Sequence, residues 1–173
     1  MLASRLPLIL ALLSVWLLGC SREAASDPRF RTPEATIHTL FEAYDVADVP
    51  EDQIRQRLAA HAQFQLRDAE TYRRCFADFR DPSDEGLAGF VFGRLVSFKD
   101  HLRYETHEDR AVVTLPVPRG TPGARIVLVR ESGAFRIVLA DSVPREVAVQ
   151  LREIHRRARA NLERTGVIEG EGR

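Results

Sequence analysis

The spacing of apolar residues changes twice along this chain, and those changes restrict the folds open to it. Up to about Phe98 the spacing is helical. Thr32-Pro33-Glu34 supplies a hydroxyl N-cap, a proline in the first turn and an acid beside it. Ile37, Leu40, Phe41 and Tyr44 follow at intervals that share one helix face. Asp48-Val49-Pro50 ends that helix, and Pro50-Glu51-Asp52 opens a second with Ile54 and Leu58 inward. After Arg67-Asp68, the residues Ala69, Tyr72, Phe76 and Phe79 predict a third helix, closed by Asp81-Pro82-Ser83-Asp84. Glu85 to Phe98 reads as a short fourth helix running into a strand, weakened by Gly86, Gly89 and Gly93.

From His101 the period becomes two. Leu102, Tyr104 and Thr106 alternate with polar residues, His107-Glu108-Asp109 turns, and Ala111, Val113 and Leu115 alternate again. A loop with Pro116, Pro118, Gly120, Pro122 and Gly123 leads to strands at Ile126–Val129 and Phe135–Leu139, joined by Glu131-Ser132-Gly133. Consecutive strands on short turns predict an antiparallel meander with one face packed on the helices. Ser142-Val143-Pro144 then starts a long helix, striped by Val147, Leu151, Ile154, Ala158 and Leu162 and ended near Gly166. The expectation is an α+β domain with N-terminal helices on a curved antiparallel sheet and an additional long C-terminal helix.

The start of the chain carries a different message. Arg5 precedes the apolar run Leu6–Leu18, which at thirteen residues falls short of the about 20 needed to span a bilayer and suits a signal h-region. Leu17-Leu18-Gly19-Cys20 resembles the lipobox of bacterial lipoproteins. That resemblance implies cleavage between Gly19 and Cys20, a diacylglycerol on the Cys20 thiol and an acylated new amino terminus. Ser21 stands where an Asp in this class often signals inner-membrane retention, which implies the outer membrane, facing the periplasm. An ordinary secretory leader ending in Gly-Cys and an uncleaved helix are the alternatives. The organisation read from this is a signal peptide over 1–19, a lipidated Cys and polar tether over 20–31, an α+β domain over 32–141, an amphipathic helix over 142–166 and a tail over 167–173.

Helices followed by a curved antiparallel sheet resemble the NTF2-like cone fold of ketosteroid isomerase and SnoaL-type cyclases. The residues that carry the likeness are Thr32-Pro33-Glu34-Ala35-Thr36 with Leu40-Phe41-Glu42-Ala43, Arg110-Ala111-Val112-Val113-Thr114, and Gly133-Ala134-Phe135-Arg136-Ile137-Val138. Phe135 stands where the family often has Trp, and a long helix after the sheet is not a core family feature. The resemblance implies a cone whose enzymes hold an inward Asp or His as general base.

Candidates for such a base are His38, His61, His101, His107, Asp45 and Asp78, with His38 foremost because it lies at the edge of the first helical stripe. Spacing pairs none of them with a second base or an oxyanion donor, and a half-exposed helical histidine is the competing reading. His101 and His107 with Glu105 or Glu108 form no known metal motif, so neither a metal nor a cofactor is expected. Removing a leader that contains Arg5 leaves 24 basic against 25 acidic residues, a balance that argues against nucleic-acid binding. Cys20 as an anchor leaves Cys75 without an intrachain partner, and its apolar surroundings favour a buried, inert thiol over a reactive or dimerising one. On the last helix, Arg152, Arg156, Arg157 and Arg159 surround the stripe. They suit contact with anionic lipid or a partner helix, or form the solvated face of a helix docked on its own domain.

Two functions follow as expectations. One is a lipid-anchored, non-enzymatic module of the cell envelope that engages a small apolar ligand or a protein. The other is an envelope enzyme of the isomerase, dehydratase or hydrolase type. An inner sheet face filled by Phe and Leu would remove the ligand-binding version of the first.

Overall fold

Thr32 caps helix α1 (Pro33–Ala43) through its Oγ1, which accepts from the Ala35 N–H at 3.1 Å, as the sequence predicts. In the computed structural model, residues 27–164 are described; the leader, Cys20 and its lipidation, residues 21–26, Gly166 and the tail lie outside them. Ile37, Leu40 and Phe41 bury the inner face of α1. Helix α2 (Glu51–Ala59) buries Ile54, while Leu58 is only half-buried. The expected polar tether ends earlier than Arg31. Pro28–Phe30 forms a 3-10 turn, Phe30 is buried, and Arg74 donates to Asp27 at 2.8 Å. The segment is polar around one apolar residue, so it has no period to reveal that docking.

The third helix is shorter than its apolar spacing predicts. α3 covers Ala69–Arg74, capped by Asp68, and stops before Phe76 and Phe79. A backbone pairing replaces it: Ile137 N–H donates to the Cys75 carbonyl and Ala77 N–H to the Ile137 carbonyl, each at 2.8 Å. Phe76 therefore lies parallel beside the last strand. Helix α4 (Glu85–Val96) is a full twelve residues and does not run into a strand; a 3-10 turn over Lys99–His101 intervenes.

Strands β1 (Arg103–His107), β2 (Arg110–Thr114), β3 (Arg125–Glu131) and β4 (Ala134–Ile137) form the expected antiparallel meander in the order β1-β2-β3-β4, as an open sheet. Ser132 and Gly133, both at positive φ, make the two-residue turn whose twist suits a hairpin. The register aligns Ala111 with Leu128 and Ile137, and Tyr104 with Val113 and Ile126. These residues face the helices, and all but Tyr104 are buried. The loop before β3 closes over α4 at Gly123, where φ is +68° and a Cβ would come within 2.8 Å of the Phe90 ring.

After β4 the chain makes a one-turn helix α5 (Leu139–Ser142) and then α6 (Arg145–Arg164). Ser142 does not start the long helix. Its buried Oγ accepts from Val127 N–H at 3.0 Å, tying α5 to β3. Val147, Ala148 and Leu151 of α6 pack on the core beside α4, but farther along Ile154 is 62% and Leu162 42% exposed. The apolar stripe is thus docked over its first half only.

Candidate functional site

The helix-facing side of the sheet is the natural place for a pocket in such an architecture, and here it is filled. Val113, Leu115, Ile126, Leu128, Phe135 and Ile137 meet Phe30, Ile37, Leu40, Val91 and Leu95 in one buried cluster. Thr36, buried on α1, donates its hydroxyl to the Phe135 carbonyl at 2.9 Å, locking helix to strand. At the helical end Tyr44 stacks on Phe92 with ring centroids 3.8 Å apart, and Tyr72 meets Tyr44, Phe76 and Phe79 edge-on. Burial pushes both tyrosine hydroxyls above their ordinary pKa.

The candidate bases lie elsewhere. His38 is 58% exposed with Nδ1 3.5 Å from Glu42 on the same helix. His61 and Asp45 occupy exposed turns at positive φ. His107 ends β1 on the outer sheet face, opposite Arg110. Asp78 is structural: its carboxylate accepts from the Leu139 and Ala140 N–H groups at 2.7 and 2.9 Å, capping α5. His101 has a partner that apolar spacing gives no hint of. The carboxylate of Glu51, 7% exposed, lies 3.1 Å from His101 Nδ1 and accepts from the Asp100 N–H. That pair joins the start of α2 to the turn before β1, and the only local signal was an acid in a first helical turn. Among the described residues no group of three His, Cys, Asp or Glu side chains could hold a metal ion.

Glu51 makes this joint sensitive to acid. Burial pushes its carboxyl up, but the Asp100 N–H, His101 and Arg55 outweigh that and set its pKa below the ordinary value. A depressed carboxylate contributes stability above the ordinary range and loses it as pH falls through the folded value. Glu51→Gln is therefore expected to unfold at lower urea than the parent at pH 7. The gap should narrow below about pH 4; urea titrations at pH 7 and pH 3 measure it.

Cys75 is fully buried, its Sγ 3.4 Å from the Thr71 carbonyl, and burial pushes the thiol up to about 12. It is an inert core residue. Hollows at the surface include a groove of about 520 Å³ bordered by Glu42, Asp45, Asp48, Arg57 and Arg67, and a recess of about 240 Å³ beside Tyr44, Tyr72, Arg73 and Glu85. Both are rimmed by charge.

The basic residues of α6 are where the stripe predicts. Arg152 reaches Asp84 of the domain at 3.8 Å, Arg156 and Arg157 pair with Glu153, and Arg159 pairs with Glu163. The pairs to Glu153 and Glu163 lie at the surface, where such pairs contribute about 0–1 kcal/mol each, whereas Asp84, the partner of Arg152, is buried. Searches with protein-family models, curated proteins and solved structures find no match to this chain.

Proposed function

We propose that this chain is a lipid-anchored lipoprotein of the bacterial cell envelope whose domain is a non-enzymatic protein-interaction module. The observation that carries the reading is the leader: a single positive charge, a thirteen-residue apolar run and Leu17-Leu18-Gly19-Cys20. Cleavage before Cys20 leaves that thiol as the attachment point for lipid. At about 0.8 kcal/mol per buried CH₂, two or more acyl chains anchor the protein stably. The residue after the cysteine, Ser21, supports residence in the outer membrane, facing the periplasm. The helices-then-meander order supports kinship with NTF2-like domains, with the pocket of the enzymes in that class replaced by packed side chains. Filling of the inner face by Leu128 and Phe135 favours a protein partner over a small apolar ligand.

Growth with a palmitate analogue tests the anchor. The parent chain incorporates label and sediments with membranes, whereas Cys20→Ser carries none and is released. Equal labelling of the two refutes the reading.

A further inference from the structure

Helix α6 runs past the last core contact at Leu151 with a basic face and an exposed apolar stripe. From Arg152 to Arg164 it has five arginines against two glutamates. Ile154, Ala158 and Leu162 make a stripe exposed to solvent. Arg157 and Arg159, one residue to either side of Ala158, project about 100° left and right of that stripe. An apolar strip with arginines on both shoulders suits a helix lying in a headgroup layer, its strip in the acyl boundary and its guanidiniums on phosphates. None of the described helices is long and apolar enough to cross a membrane.

A series of ion pairs runs from the first described residue to this helix. Asp27, where the described chain begins, pairs with Arg74; the adjacent Arg73 faces Glu85 at 3.8 Å; the adjacent Asp84 faces Arg152. Seven peptide steps join Cys20 to Asp27, a span of at most about 25 Å. The overhanging half of α6 is about 20 Å long.

We propose that this distal half of α6 rests on an anionic phospholipid surface as a second membrane contact, fixing the orientation of the tethered domain; the proposal rests on the lipoprotein reading above. A second copy is the poorer occupant, because pairing two such stripes brings like-charged arginine shoulders together. The exposed pairs to Glu153 and Glu163 are weak enough for phosphate to displace.

The test supplies the anchor chemically, so that it reads the helix independently of lipidation in the cell. The mature chain, residues 20–173, is coupled through its Cys20 thiol to maleimide-bearing vesicles; buried Cys75 does not compete. Because the only tryptophan is Trp16 in the leader, Ile154→Trp introduces a single indole. With phosphatidylglycerol vesicles its emission shifts to the blue and is quenched by brominated acyl chains, and both effects fade in high salt. With phosphatidylcholine alone, or with Arg156→Glu, Arg157→Glu and Arg159→Glu combined, the indole stays water-exposed. Charge near the surface sets this, with each arginine lost lowering occupancy about fivefold. Absence of quenching on the anionic vesicles overturns the proposal, as does quenching that ignores lipid charge. A blue shift that grows with protein concentration without vesicles overturns it in favour of self-association.

Discussion

Phe135→Ala is expected to destabilise the domain by about 3–5 kcal/mol, the cost of removing a buried aromatic ring from a site that cannot collapse. The ring sits on β4 in the core, Arg130 covers it at 4.5 Å, and the backbone carbonyl of the same residue accepts from Thr36. Helix α1 and the sheet close on it from both sides, so its removal leaves a void between them. The melting temperature should fall by roughly 10–20 °C. Were the inner face an open pocket, the same change would cost little and would enlarge a space already present. Calorimetry of the two proteins separates these outcomes.

Asp78→Ala is the second large effect, expected at about 2 kcal/mol because two N–H groups lose a charged acceptor at once. Asp78→Asn keeps one amide oxygen to accept one of those bonds and should recover part of the loss. This graded series marks a cap. A general base would behave differently: the asparagine variant would keep full stability and lose a reaction.

Both predictions turn on contacts that the sequence reveals unevenly. Alternation at Ala111, Val113 and Leu115 was legible because side-chain direction in a strand is local, and the same holds for the Thr32 cap. The end of α3 at Arg74 was not. Phe76 keeps helical spacing, yet Cys75 and Ala77 on either side of it bond to the backbone of Ile137, 61 residues from Phe76. Glu51 and Asp78 hide for the same reason, since their partners are N–H groups of distant turns that no spacing encodes. Burial of Phe30 gave no warning because one apolar residue in a polar stretch has no period. The stripe on α6 correctly announced an amphipathic helix, but a stripe states that a face wants cover without stating how far the domain extends beneath it. Core contacts reach only as far as Leu151, and Ile154 is already exposed.

The helix-facing side of the sheet is packed with buried side chains, and the distal half of α6 runs on exposed beyond that core. The proposed anchor is lipid on Cys20, which would hold the chain to a membrane. Mass spectrometry of the protein extracted from membranes tests it most directly. The expected product is a chain beginning at Cys20, blocked at its amino terminus, carrying acyl mass on that residue and free of Trp16. A chain that retains Met1 and Trp16, or that begins at an unmodified residue, would contradict it.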